Sequence, residues 1–120
     1  MKSFAKYIES EIEKEPENEQ LLVLKANFLS QEGKNDEIID LYDKVIEKNP
    51  NYVDAYYKKS LVYFAYKDDF EQALEHARKA VEMDCNNAEY QFQLAKIYFT
   101  MANFEKALEH AKISLSITPN

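Results

Sequence analysis

The stretch FEQALEHARKA at residues 70–80 returns as FEKALEHAKIS at 104–114. Repetition at a fixed distance restricts the fold of this chain more than any other property, because units that recur can bury their apolar faces by stacking on one another. Phe70, Ala73, Leu74, Glu75, His76 and Ala77 all return 34 residues later, from Phe104 to Ala111. Further upstream, Leu22, Ala26 and Leu29 return at Tyr56, Ser60 and Tyr63, 34 residues on, and then at Gln91, Ala95 and Tyr98, 35 residues on. Phe64 pairs with Phe99 at 35 and Phe70 with Phe104 at 34, so one extra residue lies within 65–69. The breaks keep the same register. Pro16, Pro50, Cys85 and Pro119 are spaced 34, 35 and 34, and a proline just past a helix end stops that helix.

Each period holds two segments with helical spacing. Leu22, Lys25, Ala26 and Leu29 form one stripe, and Ile38, Leu41, Tyr42 and Val45 another. Gly33 stands between them, where a left-handed residue reverses the chain. One Gly and three Pro in 120 residues argue against β-hairpins and for long helices with short turns. The spacing predicts seven helices, near 3–14, 19–31, 35–48, 53–66, 69–83, 87–101 and 104–117.

Small residues at Ala26, Ser60 and Ala95 let each first helix approach its partner. Ala73 and Ala107 do the same from the second helix, and Tyr63 and Tyr98 fill the space beside them. This pattern resembles the tetratricopeptide repeat, whose first helix carries a large residue, Leu, a small residue and Tyr, and whose second carries Ala, a large residue and a closing Pro. The third unit reads Gln91, Leu94, Ala95, Tyr98, Ala107, Ala111, Pro119; the second, Tyr56, Lys59, Ser60, Tyr63, Ala73, Ala77, Cys85; the first, Leu22, Lys25, Ala26, Leu29, Ile38, Tyr42, Pro50. Trp is missing from the first position throughout, Lys replaces the apolar residue twice, and Cys replaces one Pro. The resemblance implies an all-α, right-handed superhelical solenoid of antiparallel helix pairs. Its units would be repeats at 19–52, 53–87 (with the extra residue in 65–69) and 88–120. Residues 1–18 would be the second helix of a partial repeat, with Phe4, Ile8 and Ile12 as its stripe.

The resemblance also implies a function: non-catalytic binding of a peptide or helix in the concave groove, as a scaffold or adaptor for complex assembly. Family positions facing the groove fall on Gln20, Val23, Asn27 and Ser30, then Asp54, Tyr57, Leu61 and Phe64, then Glu89, Phe92, Lys96 and Phe99. Of these, Val23, Asn27, Tyr57, Leu61, Phe64, Phe92, Lys96 and Phe99 are the candidate ligand contacts. Tyr57 and Phe92 are expected to be exposed; Phe64 and Phe99, near helix ends, could equally well pack into the core. The carboxylate clamp of one branch of the family would need basic and amide residues where this chain has Val23, Asn27, Lys58, Glu89 and Gln93, and only Asn27 matches. Glu89 would repel a carboxylate.

Other classes find less support. The net charge of -7 argues against nucleic acid and anionic lipid as partners, since the basic pairs Lys58-Lys59 and Arg78-Lys79 are small. The same acidity argues against the related 35-residue hairpin family that reads RNA. No run approaches 18 apolar residues and no signal peptide is evident, so a cytoplasmic location is expected. No P-loop, Gly-x-Ser-x-Gly or His-Glu-x-x-His occurs, so neither enzyme activity nor a cofactor is expected. His76 and His110 are expected to face solvent rather than a metal, which needs three or four ligands. Cys85 is expected to be an exposed thiol in a turn, and the run Glu9, Glu11, Glu13, Glu15, Glu17, Glu19 a solvated face. Leu108, Ala111, Leu115 and Ile117 leave the last helix without a polar outer face. That suggests an excerpt of a longer array, a regulatory segment of a larger protein, or self-association through the terminal helices.

Overall fold

The computed structural model describes residues 4–118, so Pro119, the last expected break, lies outside the described residues. Seven helices follow in order: α1 (Phe4–Lys14), α2 (Glu19–Glu32), α3 (Asn35–Lys48), α4 (Val53–Ala65), α5 (Phe70–Met83), α6 (Ala88–Thr100) and α7 (Phe104–Ile117). No strand occurs among the described residues. The chain forms two compact units, one running through Ala55 and the other starting at Tyr56, within α4.

Side chains at the N-caps set where the helices start. Asn18, Asp69, Asn87 and Asn103 each accept a hydrogen bond from a backbone N–H of the first turn, at 3.0–3.4 Å, which satisfies donors that have no partner within the helix. Lys34, the counterpart of Asp69 and Asn103, makes no such bond. The turn inside each pair closes with one recurring clasp. The N-cap amide donates to a carbonyl near the end of the preceding helix: Lys34 to Leu29 at 3.2 Å, Asp69 to Tyr63 at 3.0 Å and Asn103 to Tyr98 at 2.8 Å. The residue just before the donor is left-handed each time, Gly33 at φ 72°, Asp68 at 51° and Ala102 at 64°. Two of these clasps span five residues and the middle one spans six, so the extra residue is held inside this turn.

In the first unit, α2 and α3 pack as an antiparallel pair around Leu22, Ala26, Leu29, Ile38, Leu41, Tyr42 and Val45, all buried. α1 packs on α2 through buried Ile8 and an edge contact of Phe4 on Phe28, ring centroids 5.4 Å apart. Lys25, a departure from the repeat pattern, pairs with Glu9 of α1. Its aliphatic stem stays in the packed face while its charge reaches a partner. The glutamate run is exposed at Glu9–Glu17; Glu11 pairs with Lys14 and Glu17 with Lys48. Burial, with Asp54 nearby, pushes the Tyr42 phenol well above its ordinary range, so it stays neutral.

The second unit is built the same way on smaller side chains. Ala73, Ala77, Leu94, Ile97, Tyr98 and Ala107 form its core, with Tyr63, Phe64, Leu74 and Val81 packed at the edge. Ser60 is fully buried where α4 meets α5, and its hydroxyl donates to the Ala73 carbonyl at 2.8 Å. Ser114 of α7 likewise donates to the Ala88 carbonyl of α6 at 2.9 Å. The small residues at these crossings thus bring helices close and also carry polar links between them. Lys59, which stands where the repeat pattern has an apolar residue, is buried.

The histidines correct another expectation: neither stands free in solvent. His76 lies flat on Tyr63, ring centroids 5.4 Å apart at 24°, and His110 lies on Tyr98 at 5.7 Å and 16°. The face they occupy is the one each second helix turns toward its repeat's tyrosine. His76 Nδ1 donates to the Gln72 carbonyl at 2.8 Å. His110 Nδ1 donates to the Gln91 side-chain oxygen at 2.8 Å, while the Gln91 amide donates to the Cys85 carbonyl at 2.9 Å. Burial lowers the His110 pKa from its ordinary 6.5, with Glu109 opposing and Lys106 assisting. Cys85 itself is exposed in its turn, as expected.

Candidate functional site

α6 packs on both sides, and Tyr90, Gln91, Gln93, Leu94, Ala95, Ile97 and Tyr98 are all buried. Its exposed positions are Glu89, Phe92, Lys96, Phe99 and the terminal Thr100. Residues three and four apart share a helix face, so Phe92, Lys96 and Phe99 form one outward stripe. The two rings are 53% and 64% exposed, an unusual state for phenylalanine.

This stripe forms one wall of a hollow of about 620 Å³. Phe64 of α4 contributes from one side, and Phe104, Ala107, Leu108 and Ala111 of α7 from the other. Phe99 and Phe104 meet edge to face at 5.7 Å. The Lys96 ammonium lies 5.3 Å from the Phe92 ring centre and 5.9 Å from that of Phe64, so the one cation of the hollow is held against aromatic faces. Four phenylalanines around an open depression with a single charge suit a ligand that is mostly apolar. Two further depressions of this unit, about 430 Å³ beside α5 with Glu71, Glu75, Glu82, Arg78 and Lys79 and about 660 Å³ at Lys67, Asp68, Asp69 and Glu71, are lined mainly by charged residues and lack that character.

The structure thus brings together Phe64, Phe92, Lys96 and Phe99 of the sequence candidates. Tyr57 is half-buried and stacks on Tyr90 at 4.8 Å, because the start of α4 packs against the start of α6. Leu61 is half-buried on the same helix. Val23 and Asn27 stand on α2 in the first unit, half-buried and exposed respectively. Sequence reasoning missed the contribution of α7, since it considered first helices only. The signal was present in the match of Phe70, Leu74 and Ala77 to Phe104, Leu108 and Ala111. Among the described residues, no group of three His, Cys, Asp or Glu side chains could hold a metal ion, and no helix is long and apolar enough to cross a membrane.

Helix pairs that recur with one clasp, and that leave an open aromatic wall, define a helical-repeat scaffold. Models of the tetratricopeptide repeat match residues 41–75 and 88–120, and the chain belongs to the tetratricopeptide-repeat family. It is similar to the mitochondrial import receptor subunit TOM70 of Homo sapiens, 29% identical over 105 residues, which are 87% of this chain and 17% of that protein. It is also similar to superkiller complex protein 3 of Homo sapiens, 30% identical over 95 residues, 75% of this chain and 6% of that protein. The chain therefore spans less than a fifth of the length of either relative. The crystal structure of MamA shares the fold, with a TM-score of 0.85 at 20% identity over 96% of this chain and 67% of that one.

Proposed function

We propose that the hollow of the second unit binds an apolar segment of a partner protein, and that the chain acts as a non-catalytic adaptor in a larger assembly. The observation that carries this reading is the cluster of Phe64, Phe92, Phe99 and Phe104 around Lys96, open to solvent. Large exposed rings at the centre of an interface tend to dominate its binding energy. Relatives named as a receptor subunit and as a complex protein support the same reading. The repeats would run 19–52, 53–87 and 88–120, with 1–18 as a lone second helix. The test is affinity capture followed by titration of the captured partner. Phe92→Ala should weaken binding at least tenfold, about 1.4 kcal/mol, with the melting temperature unchanged because the ring is exposed. Tyr57→Ala, half-buried on Tyr90, should lower stability as well. A partner that binds wild type and Phe92→Ala equally would refute the assignment.

A further inference from the structure

The polar residues Glu89, Gln93, Lys96 and Thr100 of α6 are four, three and four apart, which places them on one face of the helix. Hydrophobic patterning alone would turn that face to solvent. The structure turns α6 otherwise. Gln93 is 1% exposed, while Phe92 and Phe99 stand in solvent beside Glu89, Lys96 and Thr100. A roll of α6 by less than one residue step, about 100°, would carry the Gln93 amide out and both rings inward. Glu89, Lys96 and Thr100 would keep their contact with water throughout, so no charge would be buried by it. Apolar burial therefore favours the roll, and something must oppose it.

Two departures from the repeat meet at the point where it is opposed. Ser60 holds the small-residue position that is Ala26 in the first repeat and Ala95 in the third. Gln93 holds the position of Leu24, which is exposed, and of Lys58, which is half-buried. The Gln93 amide donates to the Ser60 hydroxyl oxygen at 3.4 Å, and that hydroxyl donates in turn to the Ala73 carbonyl. The order of donors is forced, because Ser60 has one proton and gives it to Ala73. The other end of the Gln93 amide, Oε1, is buried with no hydrogen-bond partner, which makes the burial costly. Gln91 stands about 200° around the helix from Gln93, and both ends of its amide are bound, to the Cys85 carbonyl and to His110. Hence α6 is tied on one flank to α4 and α5 and on the other to α7 and the turn before it. Phe92 lies between the two ties.

We propose that α6 is a two-position element, and that the Ser60–Gln93 and Gln91–His110 links hold it in the position its own polar face disfavours, with Phe92 and Phe99 outward. Ser60, Gln91 and Gln93 are positioning residues: none belongs to the exposed wall, and they decide whether its rings stand open or turn in. This holds whatever the wall meets, so it does not rest on the reading of the hollow as a binding site.

The test uses the full chain with a fluorinated phenylalanine in place of Phe92 and, in a second sample, of Phe99. A soluble gadolinium chelate broadens the fluorine signal of a ring that solvent reaches, so both signals should broaden strongly in the otherwise wild-type protein. The double variant Ser60→Ala/Gln91→Met removes both links and leaves the Gln93 amide unpaired. Its two fluorine signals should lose most of that broadening while its helical circular dichroism is retained. Adding Gln93→Met removes the amide whose burial drives the roll, and the broadening should return. A double variant whose rings broaden as in wild type would overturn the proposal. So would rings that stay protected after Gln93→Met is added, since Gln93 would then not be the driver. A double variant that loses its helical signal would overturn it too, because the links would then hold the fold together rather than choose between two orientations.

Discussion

α5 and α7 are close to the same helix in sequence, yet their surroundings differ. Ala77 is 1% exposed beneath α6, while its counterpart Ala111 lines an open hollow. Leu74 and Val81 edge a core, whereas Leu108 and Leu115 face outward. An apolar stripe thus reports a capacity to be covered, and the neighbour decides whether the capacity is used. In α5 the stripe serves stability; in α7 it is exposed among the described residues.

The largest expected break of this pairing comes from added bulk. Ala77→Leu should cost about 1–3 kcal/mol, because the contact with α6 has no spare volume. Ala111→Leu should cost much less, since its added methyls enter the hollow. Equal losses in chemical denaturation would show that the two faces are equally packed.

A smaller effect compares the turns. Gly33→Ala should lose about 1 kcal/mol from backbone strain alone, because φ is 72° and an added Cβ meets nothing within 4 Å. Ala102 already bears that strain at φ 64°. Ala102→Gly should return up to about 1 kcal/mol, reduced by the entropy of glycine in the unfolded chain. A loss of stability in Ala102→Gly would contradict this account.

The finest comparison is between the two histidines. His110 has its pKa held below 6.5 by burial, so the unfolded chain binds a proton more readily than the folded one. Its contribution to stability is complete above pH 6.5 and is lost as pH falls below that value, until the folded group titrates. His110→Gln should flatten the stability profile on the acid side of 6.5. A profile of unchanged slope would exclude His110 as its source.

Much of this architecture was legible beforehand. The clash between a 34-residue offset in one set of helices and 35 in the next located the extra residue between Phe64 and Phe70, and the six-residue clasp from Asp69 to Tyr63 is where it sits. Helix ends fell within one residue of expectation because polar caps and prolines bracket the apolar stripes. The side chains at the edges of those stripes were less legible. Helical spacing gives the face a residue occupies but not what lies opposite, so the tyrosine-stacked histidines went unseen. Phe99 could not be assigned from spacing alone, because spacing does not tell how much of the ring its neighbour Phe104 leaves uncovered.

The clasp between Asp69 and Tyr63 also bears on how this chain tolerates change in length. An odd residue is absorbed at the hairpin's apex, and the helices on either side keep their phase. Slack of that kind is local: inserted mid-helix, one residue would rotate every later side chain by about 100°. The apex at 66–69 is therefore where a spectroscopic tag or a genetically encoded reporter could be threaded into the array with the least disturbance.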